Sequence, residues 1–220
     1  SRISGFQNGL PVKSAIERSD STIRFFATNV EPLYLFKKAM NLQPEAWPNS
    51  YILFDHVDEL QFLMIEPQED WPKKSITYEL SIPREREKEL NSFILHDLCR
   101  YFKVNARIQE RETDCYMLVK ESAVKFPREK DAKRENNFKT GEGQPYFMKN
   151  SPLSDLVRQL NEEPGMLPVF DTTGITQNVD LELGSDLTPV FLLNQQLKKY
   201  GLALKFSTRR MPVLVLSPAG

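Results

Sequence analysis

The pattern of apolar and polar positions recurs at a fixed offset in the two halves of the chain. Residues 93–118 align without a gap on residues 191–216, and apolar positions coincide even where identity is lost, as at Cys99 and Leu197. A shared pattern of this length indicates two copies of one supersecondary unit. The alignment therefore predicts an internal duplication, in which most of the shared positions serve a hydrophobic core.

Each half opens with the same series of predicted elements. The strands expected from apolar runs and period-two alternation are 23–28, 51–55, 76–82, 146–148, 167–171 and 179–183. A helix follows the first strand of each half, because apolar residues recur there with three-then-four spacing. Asn29 and Asn150 stand where a helix N-cap is expected, and Pro32 and Pro152 where an early-turn proline is tolerated.

A second helix and two short strands complete each predicted unit. The helices are expected at 84–102 and 188–200, and Gly201 is placed to end the second of them. The closing strand pairs are 105–109 with 115–119, and 203–207 with 213–216; residues 60–65 indicate an added strand in the first half. Each unit then has the order β-α-β-β-α-β-β, so the predicted fold class is α+β.

The same patterns predict where the domains begin and end. Residues 1–22 are polar and without period and indicate a tail or linker, and 23–122 form the first unit with an insertion. The span 123–143 is charged and without apolar period, so it indicates an exposed linker before the second unit at 144–220. Its excess of Lys and Arg is also compatible with a nucleic-acid arm, but few aromatic residues interleave with the charges, and a solvated linker is favoured.

Bulk properties exclude several classes of protein. The 220 residues carry 29 basic and 30 acidic side chains, so no global field exists to hold a polyanion. The most apolar stretch, 51–65, is interrupted by acidic residues, so no membrane span is expected. The first residue is Ser1, with no apolar stretch after it, and a processed N-terminus is expected.

Two cysteines do not make a disulfide framework. Cys99 and Cys115 align with Leu197 and Val213, which are core-type positions, and a free cysteine often serves as a small buried hydrophobe. A disulfide between them remains the alternative, because two residues do not define the redox compartment.

Few residues of the chain are candidates for metal binding or catalysis. His96 and Cys99 could face one metal ion from one side of a helix, but zinc needs three or four protein ligands, and Cys115 is the obvious third. The two residues could also serve as a catalytic base (His96) and nucleophile (Cys99), but no third residue is placed to orient His96. We therefore predict no metal, no cofactor and no catalytic residues.

One short motif resembles a catalytic one. Asp171 to Gly174 reads Asp-Thr-Thr-Gly, whereas aspartic proteases use Asp-Thr-Gly and two carboxylates that share a proton. The aligned residue of the first half, Asp55, is followed by neither Thr nor Gly. A turn capped by the aspartate accounts for both copies, with Gly174 supplying an unusual backbone angle.

Residues 168–183 and the later stretch 198–218 together resemble the C-terminal signature of a known bacterial family, the "soil-associated" family of unknown function. That family has an apolar-Val-Asp-x-Thr-Gly-Leu-Thr pattern and a helix that ends in Gln-x-x-Leu-Gly-Leu, and the resemblance runs from about Phe25 to the end of the chain. The positions that carry the two motifs are Val169, Asp171, Thr173, Gly174, Ile175, Thr176, Gln196, Tyr200, Gly201 and Leu202. Residues 100–104 and 112–119 resemble its middle portion, whereas Gln177 and Asn178 depart from it.

This resemblance carries expectations about location and role. The family belongs to the bacterial cell envelope and often follows a thioredoxin-like domain, although this chain has no Cys-x-x-Cys. Each half is also more distantly similar to the short N-terminal domain of secretins and TonB-dependent receptors, which is periplasmic and binds protein partners. The resemblance thus implies an extracytoplasmic, non-catalytic module, in which Asp171, Thr173, Gly174 and Gly201 form a structural signature.

The favoured function is protein–protein interaction through sheet edges or helix faces, with strand addition as one mode. The alternative is a small-ligand-binding or enzymatic domain that uses a cleft between the two units. An enzyme needs titratable groups directed at one pocket, and few are present in this sequence.

Overall fold

The computed structural model describes residues 1–43, 47–63, 71–123, 126, 133–138 and 143–220. It contains both helices and sheets, as the α+β prediction requires. The strands in chain order are β1 (Arg2–Gly5), β2 (Lys13–Arg18), β3 (Thr22–Val30), β4 (Ile52–Phe54), β5 (Ile76–Pro83), β6 (Val104–Lys120), β7 (Glu135–Asn136), β8 (Phe147–Ser151), β9 (Val169–Asp171), β10 (Val179–Glu182) and β11 (Leu202–Pro218). The helices are α1 (Pro32–Ala39), α2 (Trp71–Lys74), α3 (Leu90–Phe102), α4 (Leu153–Glu162) and α5 (Val190–Leu197).

The chain divides into two compact units. Unit 1 comprises Ser1–Trp47, Ile52–Gln109 and Val213–Gly220, and unit 2 comprises Pro48–Tyr51 and Glu110–Pro212. This division differs from the predicted boundaries, because β6 and β11 each contribute residues to both units.

Unit 1 is built on an antiparallel sheet of four strands in the order β1-β5-β3-β2. The prediction that residues 1–22 form a tail or linker is wrong, because β1 pairs with β5 and β2 pairs with β3. Both are edge strands with exposed or half-buried residues throughout. Backbone hydrogen bonds to the neighbouring strand hold such a strand in place, and few of its side chains need to be apolar. The alternation of apolar and polar residues therefore does not reveal these two strands in the sequence.

The core of unit 1 lies between this sheet and two helices. Phe36 on α1 and Leu98 on α3 are fully buried against the sheet residues Phe25 and Tyr78. Burying one such side chain stabilises the fold by about 1.5–3 kcal/mol. The three-then-four spacing therefore identified the buried stripe of α1 correctly.

The end of unit 1 adds a second small sheet. The last part of β11 lies between β4 and the first part of β6. It pairs in parallel with β4, where Leu214 is opposite Ile52 and Leu216 is opposite Phe54.

Unit 2 has an antiparallel sheet of three strands in the order β10-β8-β7. The predicted linker at 123–143 is wrong where it is described, because Glu135 and Asn136 form β7 and pair with β8. Arg134, just before this strand, binds the buried carboxylate of Asp155 at 2.8 Å. Arg134 is itself largely exposed, so one charge of this span reaches a buried carboxylate from the surface. Residues 124, 125, 127–132 and 139–142 lie outside the described residues.

Asn29 and Asn150 are not helix N-caps. Both lie inside strands and adopt left-handed φ angles of 53° and 42°, and the N-caps are Glu31 and Pro152. Asn29 is fully buried and its side chain donates to the carbonyls of Gln7 and Leu10. Asparagine tolerates this conformation better than most residues, and a register shift in the strand pairing occurs at both places.

The predicted closing strand pairs are single strands. β6 and β11 are each 17 residues long and run unbroken through the positions where a turn was expected. Residues 110–114 and 208–212 contain no glycine or asparagine that would favour a tight hairpin. In unit 2, the last part of β6 instead lies between the first part of β11 and β9.

Smaller differences concern helix 84–102 and residues 60–65. Residues 84–89 form a 3-10 helix before α3 begins, and the described part of 60–65 contains a 3-10 turn at Glu59–Gln61 rather than a strand. Residues 64 and 65 lie outside the described residues. The internal duplication itself stays a prediction.

Candidate functional site

The predicted signature turn follows β9. The Asp171 Oδ1 accepts hydrogen bonds from the backbone N–H and the hydroxyl of Thr173, at 2.8 and 2.7 Å. Thr173 Oγ1 in turn accepts from the Ile175 N–H at 3.1 Å, and Gly174 has φ of +69°. The carboxylate oxygen is therefore engaged in closing its own turn, which is the geometry of an Asx turn.

Gly201, the other signature glycine, lies at a helix end. It has φ of +76° and ends the 3-10 helix Lys198–Tyr200, and its carbonyl accepts from the Glu121 N–H at 2.9 Å. A Cβ at this position would lie 2.9 Å from the Ala123 carbonyl oxygen. The position thus requires glycine both for its backbone angle and for the close approach of another segment.

The aligned aspartate of the first half is arranged differently. Asp55 donates its backbone N–H to the Leu216 carbonyl at 2.8 Å. Its carboxylate is 3.7 Å from His56 Nε2, and that histidine ring is almost fully exposed. The two aspartates lie in different units and each has its own local role.

His96, Cys99 and Cys115 do not assemble a reactive site. His96 is exposed on α3, Cys99 is half-buried against the core of unit 1, and Cys115 is fully buried in unit 2. Both cysteines are free, so the disulfide alternative is wrong. Burial raises the pKa of both thiols, which lowers the thiolate fraction at neutral pH.

The described part of the chain offers no metal centre and no membrane-spanning helix. It contains no group of three or more His, Cys, Asp or Glu residues placed to hold a metal ion. None of its helices combines the length and the apolar character needed to cross a bilayer.

An edge strand of unit 2 is the feature with the clearest capacity for binding. In this unit the first part of β11 is the outer strand of the sheet β11-β6-β9. The Gly201 carbonyl faces β6, because it accepts from the Glu121 N–H. Backbone groups of an antiparallel strand alternate in direction, so the N–H and C=O of even-numbered residues from Leu202 onward face away from β6.

The start of this edge is sealed by a side chain. Asn194 of α5 accepts from the Leu204 N–H at 2.7 Å and donates to the Leu204 carbonyl at 3.0 Å. One amide side chain thus supplies both bonds that an added strand would make to Leu204.

Beyond Leu204 the edge continues without such a seal. Among the described residues, no strand pairs with the outer side of Phe206 to Arg210. Phe206 is 62 % exposed and contacts the ring of Tyr116, with ring centroids 6.2 Å apart. Pro212 lacks an N–H and ends the series of outward donors.

The side chains beside this edge are basic and aromatic. Lys205 pairs with Glu121 at 3.0 Å, and the Arg209 guanidinium lies over the ring of Phe170, 4.6 Å from its centroid. Tyr51 also contacts the Phe170 ring, and burial raises the pKa of its hydroxyl, while Arg209 opposes that shift. The edge therefore combines outward backbone groups with positive charge and an exposed ring.

Sequence reasoning missed this edge, because it expected a turn between 207 and 213. The sequence does contain one indication against a turn, because residues 207–211 include no glycine, asparagine or proline. The role of Asn194 had no signal in the sequence, since it depends on the packing of α5 beside β11.

Comparison of the chain with protein-family models, with curated proteins and with solved structures gave no match.

Proposed function

We propose that this protein is a non-catalytic protein-interaction module, and that unit 2 binds an extended segment of a partner by strand addition to β11. The observation that carries the proposal is the open edge from Phe206 to Arg210, next to the sealed position Leu204. An added strand would bond to the outward N–H and C=O groups of Phe206, Thr208 and Arg210.

Charge and exposure indicate the chemistry of the partner segment. Lys205, Arg209 and Arg210 project from the same stretch of β11 and are exposed. A segment with acidic residues would gain favourable electrostatic contacts here, which raise the association rate and fix the register. Phe206 offers an apolar contact, so one apolar residue in the segment is also expected.

The absence of catalysis is part of the proposal. The most reaction-like carboxylate, Asp171, is occupied by the bonds of its own turn. A catalytic carboxylate would instead be directed at a substrate pocket. An extracytoplasmic location, with a thioredoxin-like domain upstream in the full-length protein, is proposed from the family resemblance.

Peptides selected from a random display library against the whole protein test the binding mode. We expect selected peptides to be rich in Asp and Glu with one or two apolar residues, and to protect the amides of Phe206, Thr208 and Arg210 from hydrogen exchange. Thr208→Pro removes one outward N–H and should weaken binding at least tenfold. Proline is tolerated at such a position, because the N–H that it removes faces solvent.

Thr208→Val is the matched control, since it keeps the N–H and the preference for a strand. Binding that survives Thr208→Pro, or protection confined to other strands, would refute strand addition at this edge. A turnover in hydrolase or thiol-exchange screens that vanishes in a folded Asp171→Asn variant would refute the non-catalytic role.

A further inference from the structure

The unit 1 sheet ends on one side in a strand that is open to solvent. β2 is the last strand in the order β1-β5-β3-β2, and among the described residues it pairs with β3 alone. Its side chains are exposed or half-buried along the whole strand, and Val12, directly before it, is 61 % exposed. An edge of this kind offers backbone donors and acceptors to another strand.

The hairpin that joins β2 to β3 fixes which backbone groups point outward. The Ser19 N–H donates to the Thr22 carbonyl at 2.9 Å, and the pairing continues from there through β2 in unbroken register. Backbone groups alternate in direction along an antiparallel strand, so the odd-numbered residues of β2 bond to β3. The N–H and C=O groups of Ser14, Ile16 and Arg18 therefore face away from the sheet.

One face of β2 carries opposite charges near its two ends. Lys13, Ala15 and Glu17 share this face, because alternate residues of a strand point to the same side. The Lys13 Nζ lies over the ring of Phe26, 5.5 Å from its centroid, and the Glu17 carboxylate accepts from Arg24 at 3.0 Å. Both charged side chains of β2 are exposed, so each can also contact a strand that is added beside β2.

The spacing of these charges makes the edge complementary to itself. When two copies of β2 pair antiparallel with Ala15 opposite Ala15, Lys13 of each copy lies opposite Glu17 of the other. The outward-facing Ser14 then lies opposite the outward-facing Ile16 of the other copy, so the two residues can exchange their backbone hydrogen bonds. The two nearest alternative registers place Ala15 opposite Lys13 or opposite Glu17, and both charge pairs are lost.

We infer that this protein forms a symmetric dimer through β2, in which a second copy of the chain adds its own β2 in antiparallel orientation with Ala15 at the two-fold axis. Opposite charges on directly facing residues stabilise such a pairing, and like charges oppose it. The same surface serves both copies, so the contact closes after two chains. One short strand forms the contact, so the dimer is weak and reversible. It lies in unit 1 and does not depend on the proposed strand addition in unit 2.

Sedimentation equilibrium of the whole protein at low ionic strength, up to about 1 mM, tests the inference. We expect a reversible equilibrium between monomer and dimer. Lys13→Glu places glutamates opposite each other and Glu17→Lys places lysines opposite each other, so each variant should weaken dimerisation at least tenfold. An equimolar mixture of the two variants restores opposite charges at both contacts, and it should dimerise at concentrations where neither variant does so alone.

Two matched controls separate this contact from other effects. Lys199→Glu makes the same change in charge as Lys13→Glu, but on an exposed residue of unit 2, and should leave the dimer unchanged. Thr208→Pro blocks the proposed binding edge of unit 2 and should also leave it unchanged. The two inferences can therefore fail separately.

Cross-linking tests the register. In the inferred dimer the two Ala15 Cα atoms lie about 4.5 Å apart, which a disulfide can span. Ala15→Cys should therefore give a covalent dimer with oxidised glutathione, whereas the native protein should not. Glu17→Cys should not cross-link, because its two copies lie four residues apart along the strand, roughly 14 Å.

Several results would overturn the inference. They are a protein that stays monomeric at the highest concentration, a dimer that Lys13→Glu does not weaken, and a mixture of the two charge variants that stays monomeric. Cross-linking of Glu17→Cys as fast as that of Ala15→Cys would exclude the register. Amide spectra check that each variant is folded, which is expected because Lys13 and Glu17 are exposed.

Discussion

Gly201 gives the sharpest test of the physical reasoning, because two separate costs meet at one residue. In Gly201→Ala, the left-handed angle of +76° costs about 1–2 kcal/mol for a residue with a side chain. The new Cβ would also lie 2.9 Å from the Ala123 carbonyl oxygen, which is part of the backbone and cannot swing away. Forcing such a contact costs about 1–3 kcal/mol more, so the expected loss in the free energy of unfolding is about 2–5 kcal/mol.

Variants at Gly174 and Gly165 measure the cost of the backbone angle without the cost of a close contact. They have φ angles of +69° and +75°, but a Cβ at either position meets no atom within 4 Å. Gly174→Ala and Gly165→Ala should therefore show only the cost of the backbone angle, about 1–2 kcal/mol each. The difference between Gly201→Ala and these controls measures the close approach of residues 122 and 123 alone.

Urea unfolding monitored by circular dichroism gives the free energies. Because two units can unfold in separate transitions, hydrogen exchange of peptides from β11 should report the loss within unit 2. A Gly201→Ala variant that loses no more stability than Gly174→Ala would show that residues 122 and 123 move aside. That result would refute the requirement for glycine through contact.

Three further outcomes are expected. Tyr78 is buried and its hydroxyl donates to Asp97 at 2.9 Å, and burial raises the pKa of this hydroxyl far above the usual value. The unfolded chain releases the same proton near pH 10, so the free energy of unfolding should fall as the pH rises above about 10. Urea unfolding at each pH should show a less steep fall in Tyr78→Phe. Asn161→Ala should cost about 2–4 kcal/mol in urea unfolding, since its buried amide bonds both the N–H and the carbonyl of Val169, whereas the exposed Asn105→Ala should cost under about 1 kcal/mol. Cys115 should react with thiol reagents only after unfolding, because it is fully buried, and fast labelling of the folded protein would contradict this.

The sequence predicted elements well where burial follows a period. The stripe of Leu33 and Phe36 on α1 and the alternation of β5 both place their apolar residues in the core of unit 1. Gly201 was also identified, because glycine is the residue that most often adopts the left-handed angle after the last turn of a helix. These features depend on local sequence alone.

Features that depend on partners in the fold were not predicted. β2 is recognised only through its ladder with β3, since its own residues are exposed or half-buried. Asparagine is a common helix N-cap, and Asn29 stands just before α1. Its side-chain amide instead donates to the carbonyls of Gln7 and Leu10, and so links β3 to the segment between β1 and β2. An asparagine fits either role, so only the surrounding backbone decides between them.

The edge of β11 depends on Asn194, which seals Leu204 with two hydrogen bonds. The predicted alignment of the two halves pairs Asn194 with His96, and of these two side chains only the amide has a donor and an acceptor spaced to bond the N–H and the C=O of a single residue. In unit 1, the aligned strand position Ala106 instead places its N–H against the Cys99 thiol, a weaker acceptor. The two edges are therefore protected by different means and to different extents. Natural sheets protect exposed edges against uncontrolled pairing. Because the side-chain bonds end at Leu204, the next residues of β11 are the part of unit 2 where we propose that a partner strand binds.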